Sequence, residues 1–328
     1  MSESLSQNFN HLKIHTQYSI CEGAAKIDDL QEYSKINKVK SLGLCDSSNL
    51  CGALEFAEKI SKSGTQPIIG TQINFKIGET MGLLPLFALN ETGYKNIIDL
   101  SSSSYLKNDE LSDPHIEFEE LLNNSEGVAV FSGTVFGLFG KLFDKGKFTE
   151  IHELYSKIKN TFEDKFYIEI QRHNDQNEIG FEKFNLKKSL DLEIPIIATN
   201  EVFYIDKNMH EAHDALICIG NKTYINEKNR LRLSDQHYLK TNSEMSDMFA
   251  DLPEALENNY NFPLRCNFRP SFSSPILPNI SSDKDGNADE ILKKNSLEGL
   301  TIKFKKVFGL NENELKDNNS YKNYKDRL

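Results

Sequence analysis

The sequence predicts an α/β barrel, and three observations predict it. Short runs rich in Ile, Val, Leu and Phe recur as far as Thr199, each bounded by Gly, Pro, Asn or Asp. Amphipathic, helix-like segments separate them. No glycine-rich phosphate loop follows the first run, which sets a closed barrel above a dinucleotide-binding sheet.

The expected strands are Leu12–His15, Ser41–Cys45, Pro67–Phe75, Leu83–Leu89, Gly127–Ser132, Phe166–Gln171 and Ile194–Thr199. Taken as consecutive βα-type units, they predict a mostly parallel sheet. Between the first two, Asp28 and Asp29 can cap a helix whose apolar face holds Leu30, Tyr33 and Ile36. In Gly52–Ser63 the residues Ala53, Phe56, Ala57 and Ile60 fall on one helical face, and Gly64 suits the position just past its end. Ile151, Leu154, Tyr155 and Ile158 repeat that pattern. Beyond Thr199 the texture changes. Met209–Ile219 reads as a helix, Ser243–Ala250 as a short helix capped by Ser243, and Pro253 as the first turn of another. Phe268–Ile280, with three prolines and several serines, reads as an extended linker. Ala288–Val307 reads as an isolated amphipathic helix.

Composition narrows the class of function. With 38% hydrophobic and 27% charged residues the chain is expected to be globular rather than disordered. Its apolar runs are too short to cross a bilayer, and Met1-Ser2-Glu3-Ser4 shows no leader pattern. Five cysteines, none in a C-x-x-C pair, argue against a disulfide scaffold and place the chain in a reducing cytoplasm. A net charge of −11 argues against a strong electrostatic grip on nucleic acid.

In a βα barrel, chemistry gathers where strands end. Here those ends are polar: His11, Lys13 and His15; Asp46-Ser47-Ser48-Asn49; Gln72; Ser132-Gly133-Thr134; Gln171-Arg172-His173; and Asn200-Glu201-Val202-Phe203. The runs His11–Thr16, Cys45–Leu50, Pro67–Gly70, Tyr167–His173 and Ala198–Glu201, in this order, resemble the polymerase-and-histidinol-phosphatase (PHP) domain of bacterial replicative DNA polymerase III alpha subunits. Glu211–Leu216 and Leu252–Leu256 resemble segments further along those subunits. The likeness covers about residues 9 to 278 and weakens beyond.

The resemblance implies a distorted seven-stranded PHP-type (β/α) barrel over residues 9–278, with a helical extension. It leaves 1–8 as a tail and 279–328 as a connector into a palm domain that the chain does not reach. It implies strand-end metal ions, which some members use for phosphoester hydrolysis. Position by position, this sequence departs from that pattern. His15, Asp46, His173 and Glu201 survive, whereas Lys13, Ser47, Gln72, Thr134 and Phe203 stand where ligands are expected. An ammonium has no lone pair to give and neither has a phenyl ring, so four survivors from four strands cannot fill a multinuclear site. Lys13 is expected to pair with Asp46 or Glu201 and to replace the metal's charge. The chain alone is therefore expected to hold no cofactor and no catalytic residue.

The implied function is that of the N-terminal part of a replicative polymerase subunit, a nucleotidyltransferase that uses magnesium in its full-length form. This part would serve as scaffold and docking site for a proofreading exonuclease subunit, and would reach primer-template DNA only through the full-length chain. The rival readings are a stand-alone metal-dependent PHP phosphoesterase and an interaction scaffold outside replication.

Other motifs yield to plainer explanations. His210 and His213 are spaced i, i+3 rather than the i, i+4 of a zincin helix, and read as a helix face. Gly133, Gly137 and Gly140-Lys141 lack the spacing of a phosphate loop, with Val135 and Leu142 at two required positions. Ser47 and Ser132 have no evident base–orienter pair. Lys293-Lys294 and Lys303–Lys306 make a late helix basic, which reads first as a solvated face and second as a nucleic-acid contact in a longer protein. Asp283, Asp285 and Asp289 sit on a connector with no strand to fix them, and are assigned no catalytic role.

Overall fold

In the computed structural model, residues 9–108, 112–275 and 287–328 are described. The tail 1–8, Asp283, Asp285 and the end of the Phe268–Ile280 linker lie outside them, as does the expected boundary at 278. The chain forms two compact units, Met1–Phe272 and Ser273–Leu328.

The first unit runs β1 (Lys13–Ile14), α1 (Ile27–Asn37), β2 (Ser41–Ser47), α2 (Ala53–Lys62), β3 (Gln66–Ile77), β4 (Thr80–Ala88), α3 (Glu91–Leu106), β5 (Ile116–Glu117), α4 (Phe118–Asn123), β6 (Val128–Phe131), α5 (Leu138–Asp144), α6 (Phe148–Phe162), β7 (Phe166–Ile170), α7 (Glu178–Leu192), β8 (Ile196–Ala198), β9 (Glu201–Val202), α8 (His210–Gly220), α9 (Asn242–Met248) and α10 (Pro253–Asn261). The main sheet has the order β2-β3-β4-β6-β7-β8, with β5 beside β3, and β1 pairs with β9. The amide of Gly43 in β2 donates to the carbonyl of His11 at 2.7 Å, which sets the β1–β9 ribbon beside β2. On the other side Asn259 closes the gap. Its side chain accepts from the Asn10 amide at 2.8 Å and donates to the carbonyls of Asn10 and Ala198 at 2.9 and 3.0 Å.

The strand pairings are mostly parallel, as expected, but the sheet is mixed because β4 runs against both of its neighbours. β3 and β4 pair antiparallel across a turn at Gly78, whose φ is +56°, and β4 and β6 are also antiparallel. A two-residue turn leaves no room for a crossover helix, so one expected βα unit is a hairpin.

Alternation along each strand builds the interior. Leu12, Cys45, Ile68, Phe87, Phe131, Tyr167 and Ile197 form an apolar plug, and the Phe262 ring packs edge-on against Phe87, Phe131 and Tyr167. The alternate positions further along the same strands are polar and buried: Gln72 after Ile68, Glu169 and Gln171 after Tyr167, Thr199 and Glu201 after Ile197. Outward residues such as Leu42, Leu44 and Ile69 meet Ala53, Phe56, Ala57 and Ile60 of α2. Burying a side chain such as Phe56 contributes roughly 1.5–3 kcal/mol.

Gly64 closes α2 at φ +77°, as its spacing predicts. Two caps differ from expectation. Lys26, not an aspartate, precedes α1; Asp28 and Asp29 lie in its first turn, where they favour the helix dipole, and Ile36 is exposed. Thr241, not Ser243, caps α9, because only Thr241 has a Glu three residues on to reach back, and Glu244 does so.

The second unit contains α11 (Ala288–Phe308), α12 (Glu312–Asp317) and α13 (Asn319–Asp326). Phe304 is its main buried ring, set against Phe308, Tyr321 and Tyr324. Asp289 is exposed in the first turn of α11, and Lys305 pairs with Glu312 at 2.8 Å. Among the described residues no helix is long and apolar enough to cross a membrane.

Candidate functional site: a lysine at the barrel mouth

The climb from apolar plug to polar strand ends brings Lys13, His15, Gln72, Glu169 and Glu201 together. The Lys13 ammonium is fully buried, 3.2 Å from Glu201 and 3.5 Å from Glu169. Burial works against its charge, but Glu169 and Glu201 outweigh burial and hold Lys13 above its usual range. Burial likewise opposes ionisation of Glu201; Lys13 and the His15 hydrogen bond outweigh it and hold this carboxyl well below the usual range. Glu169 goes the other way. Burial pushes it up, and Lys13 with the Thr199 hydroxyl offsets only part of that. Lys13 and Glu201 are thus the ionised pair, and Glu169 is the neighbour that burial drives toward its neutral form.

The expected alternative partner, Asp46, is not one. Its carboxylate accepts from the Thr16 amide at 2.6 Å, the Thr16 hydroxyl at 2.8 Å and the Ser19 hydroxyl at 2.7 Å. These donors leave Asp46 no need of an ammonium.

The other survivors are also committed. His15 Nε2 lies 3.1 Å from Glu201 Oε1, and Gln72 donates to the same oxygen at 3.3 Å. Phe203 stacks on the His15 ring at 4.5 Å and continues to His213 at 5.4 Å. His173 Nδ1 faces Glu178 at 3.2 Å, and its Nε2 accepts from the Glu201 amide at 3.2 Å. Burial, then the neighbouring His237, holds His173 well below its usual range, so its ring is neutral. Thr134 lines the cavity at the mouth, and its hydroxyl accepts from the Phe136 amide. Ser47 receives only a 3.4 Å contact from Gln72 on its hydroxyl, and the Ser132 hydroxyl accepts from the Glu169 amide at 2.9 Å, a structural bond.

Tested against a metal cluster, these residues do not fit. A metal ligand must aim a free lone pair at the ion. An ammonium stands between the carboxylates, a phenyl ring covers His15, and backbone or hydroxyl donors occupy His173 and Asp46. A second group, His173, Asp175 and His237, brings three ligand atoms within 4.8 Å of one another. Its two imidazoles stack at 4.1 Å and 3°, so their lone pairs run parallel rather than converging.

Elsewhere the structure takes the plain readings. His210 and His213 meet the carbonyls of Leu233 and Glu22. Gly140 is pressed against the Val135 carbonyl, which an added Cβ would meet at 2.0 Å, and Lys141 donates to the Met81 carbonyl at 2.9 Å.

Sequence reasoning missed Glu169, Glu178 and His237. Glu169 carried a signal: it shares strand parity with Tyr167, Gln171 and His173, and so points inward. His237, far along the chain and outside any strand, carried none.

Residues 11–173 match the PHP domain family. The chain is 35% identical to a DNA polymerase III subunit alpha from Caulobacter vibrioides over 92% of its own length and 27% of that relative. It is 33% identical to one from Borreliella burgdorferi over 93% of its length and 28% of that relative. The chain thus spans about a quarter of the curated relatives it matches. A solved two-domain protein from Bacteroides vulgatus, described as containing a predicted PHP-like metal-dependent phosphoesterase, aligns with 73% of this chain and 62% of its own at 12% identity and a TM-score of 0.38.

Proposed function

The barrel of this chain belongs to the PHP-domain family, and from that premise we propose that the chain is the N-terminal part of a replicative DNA polymerase alpha subunit, in which the barrel is scaffold rather than hydrolase. The observation that carries the scaffold role is the buried Lys13 ammonium between Glu169 and Glu201, with Phe203 laid over His15. The similarity along 92% of the chain supports the parent protein. In this reading template-directed nucleotide addition, with its magnesium, belongs to the remaining three quarters of the subunit. The barrel supports that machinery and docks a proofreading exonuclease subunit, and loss of the metal ligands fits hydrolytic proofreading delegated to a partner.

Thermal unfolding with manganese or zinc tests the scaffold role. A ligand at 100 times its Kd stabilises the folded state by about 2.7 kcal/mol, so a true metal site gives a clear rise in Tm. No rise is expected, together with no turnover of bis-p-nitrophenyl phosphate. A metal-induced rise with turnover lost in His15→Ala would favour the phosphoesterase reading, which has the retained strand-end groups His15, Asp46, His173 and Glu201 on its side.

A further inference from the structure

A small cavity, of about 20 Å³, adjoins Glu169, the neighbour of the ionised Lys13–Glu201 pair. Its wall comes from the turn after β6 (Gly133–Val135), the end of β7 (Glu169–Gln171) and one face of α7, where Glu178, Phe181 and Asn185 recur at helical spacing. Glu169, Phe181 and Asn185 are almost wholly buried. Two of these residues each hold a buried polar atom with no hydrogen-bond partner among the described residues: Glu169 Oε2 and Asn185 Nδ2.

The other atom of each side chain is committed. Glu169 Oε1 accepts from the Gln171 amide at 2.8 Å and from the Thr199 hydroxyl, and lies 3.5 Å from the Lys13 ammonium. Asn185 Oδ1 accepts from the Tyr155 hydroxyl at 3.0 Å. Rotating either side chain only exchanges which of its atoms is idle. Leaving such atoms unpaired in the interior is costly, so they call for a third partner.

Their chemistry selects that partner. A cation would face the Asn185 amide hydrogens, and an anion would face the carboxyls of Glu169 and Glu178. Water accepts from the amide and donates to an ionised Glu169 Oε2. It also serves neutral Glu169, whose proton belongs on Oε2 because donors already occupy Oε1; water then accepts that hydrogen. A cavity holds a water from about 10–15 Å³ upward, so this one has room for one molecule and not two.

We propose that this cavity is the binding site of a single internal water, which bridges Glu169 Oε2 to Asn185 Nδ2 and thereby ties the lysine-filled centre to α7. The site goes beyond the scaffold role and does not rest on it, because Gln171 and Thr199 hold Oε1 with or without Lys13.

The test is a crystal structure of the full 328-residue chain, at a resolution that shows ordered water. One isolated peak is expected at about 2.7–3.2 Å from both Glu169 Oε2 and Asn185 Nδ2. Absence of a peak, direct bonding of the two side chains to each other, or oxygen contacts of about 2.0–2.6 Å that mark a bound cation would each overturn the site. In solution, oxygen-17 relaxation dispersion counts long-lived waters. Asn185→Leu should hold one fewer than wild type, whereas Glu169→Gln should hold the same number, since its amide donates to the same water. An unchanged count in a folded Asn185→Leu overturns the site, and if that variant does not fold the wild-type map decides alone. The same map reads the lysine separately: a metal in place of the Lys13 ammonium overturns the scaffold role, and leaves the water site standing wherever its peak is present.

Discussion

Lys13 carries the electrostatics of the barrel centre. Removing its ammonium would leave Glu201 buried and charged with only His15 and Gln72 to answer it. Breaking a buried pair from one side costs roughly 3–5 kcal/mol, so Lys13→Met should lower unfolding free energy in urea by about that much. Adding Glu201→Gln to Lys13→Met should cost less than the two single changes summed, because the second change removes the charge the first one stranded. His11 offers a test by pH. Its Nε2 donates to the Lys240 carbonyl at 2.8 Å, and burial lowers its pKa to about 4 from the ordinary 6.5. A folded-state pKa below the unfolded one means that the unfolded chain takes the proton first. His11 therefore contributes fully above pH 6.5, and the contribution is lost as pH falls toward 4, up to about 3 kcal/mol. Glu178, raised by burial to about 7 from 4.5, acts with the opposite sign, stabilising below 4.5 and losing that effect as pH rises through 7. The comparison of wild type with His11→Gln isolates the histidine: the stability gap should shift in favour of the variant between pH 6.5 and 4, and a constant gap would refute the assignment.

At the scale of elements, β1 is only two residues long and owes its place to its neighbours. Gly43 is the closest of these. A Cβ there would lie 2.2 Å from the Leu12 carbonyl oxygen, and neither backbone can yield without disturbing Lys13 beside it. Gly43→Ala should destabilise the fold by more than 1 kcal/mol, an estimate of order from overpacking, measured by denaturant midpoint. Much of this level was legible in advance. α2 followed from four apolar residues on one face, and all four are buried. The β3–β4 hairpin was not, because both runs carry the same apolar signature whether a helix or a turn joins them; Gly78 was the only cue. α1 shows the limit of periodicity: Leu30 is buried as its spacing predicts, but Ile36, on the same nominal face, lies in the last turn and is exposed. In the site, the identity of the cation substitute could be read from residue type at a strand end. Its partner could not be read in full, since choosing Glu169 over Asp46 depends on how Thr16 and Ser19 fold back over β2.

For the molecule as a whole, the first unit owns every core that surrounds the lysine, and the helices after Ser273 bury their own Phe304 and Leu315. Residues 1–272 should accordingly fold alone, with a melting temperature within a few degrees, about the effect of 1 kcal/mol, of the 328-residue chain. Calorimetry of the two proteins decides it, and a shorter chain that fails to melt cooperatively would show that the units are not independent. The barrel centre also has a consequence for how such a protein lives in a cell. A bound ion comes and goes with an occupancy set by supply, and a chelator or a season of starvation can strip it. A positive charge covalently tethered to the first strand has no dissociation constant. On that reading, a barrel built around it would keep its shape whether transition metals are plentiful or scarce.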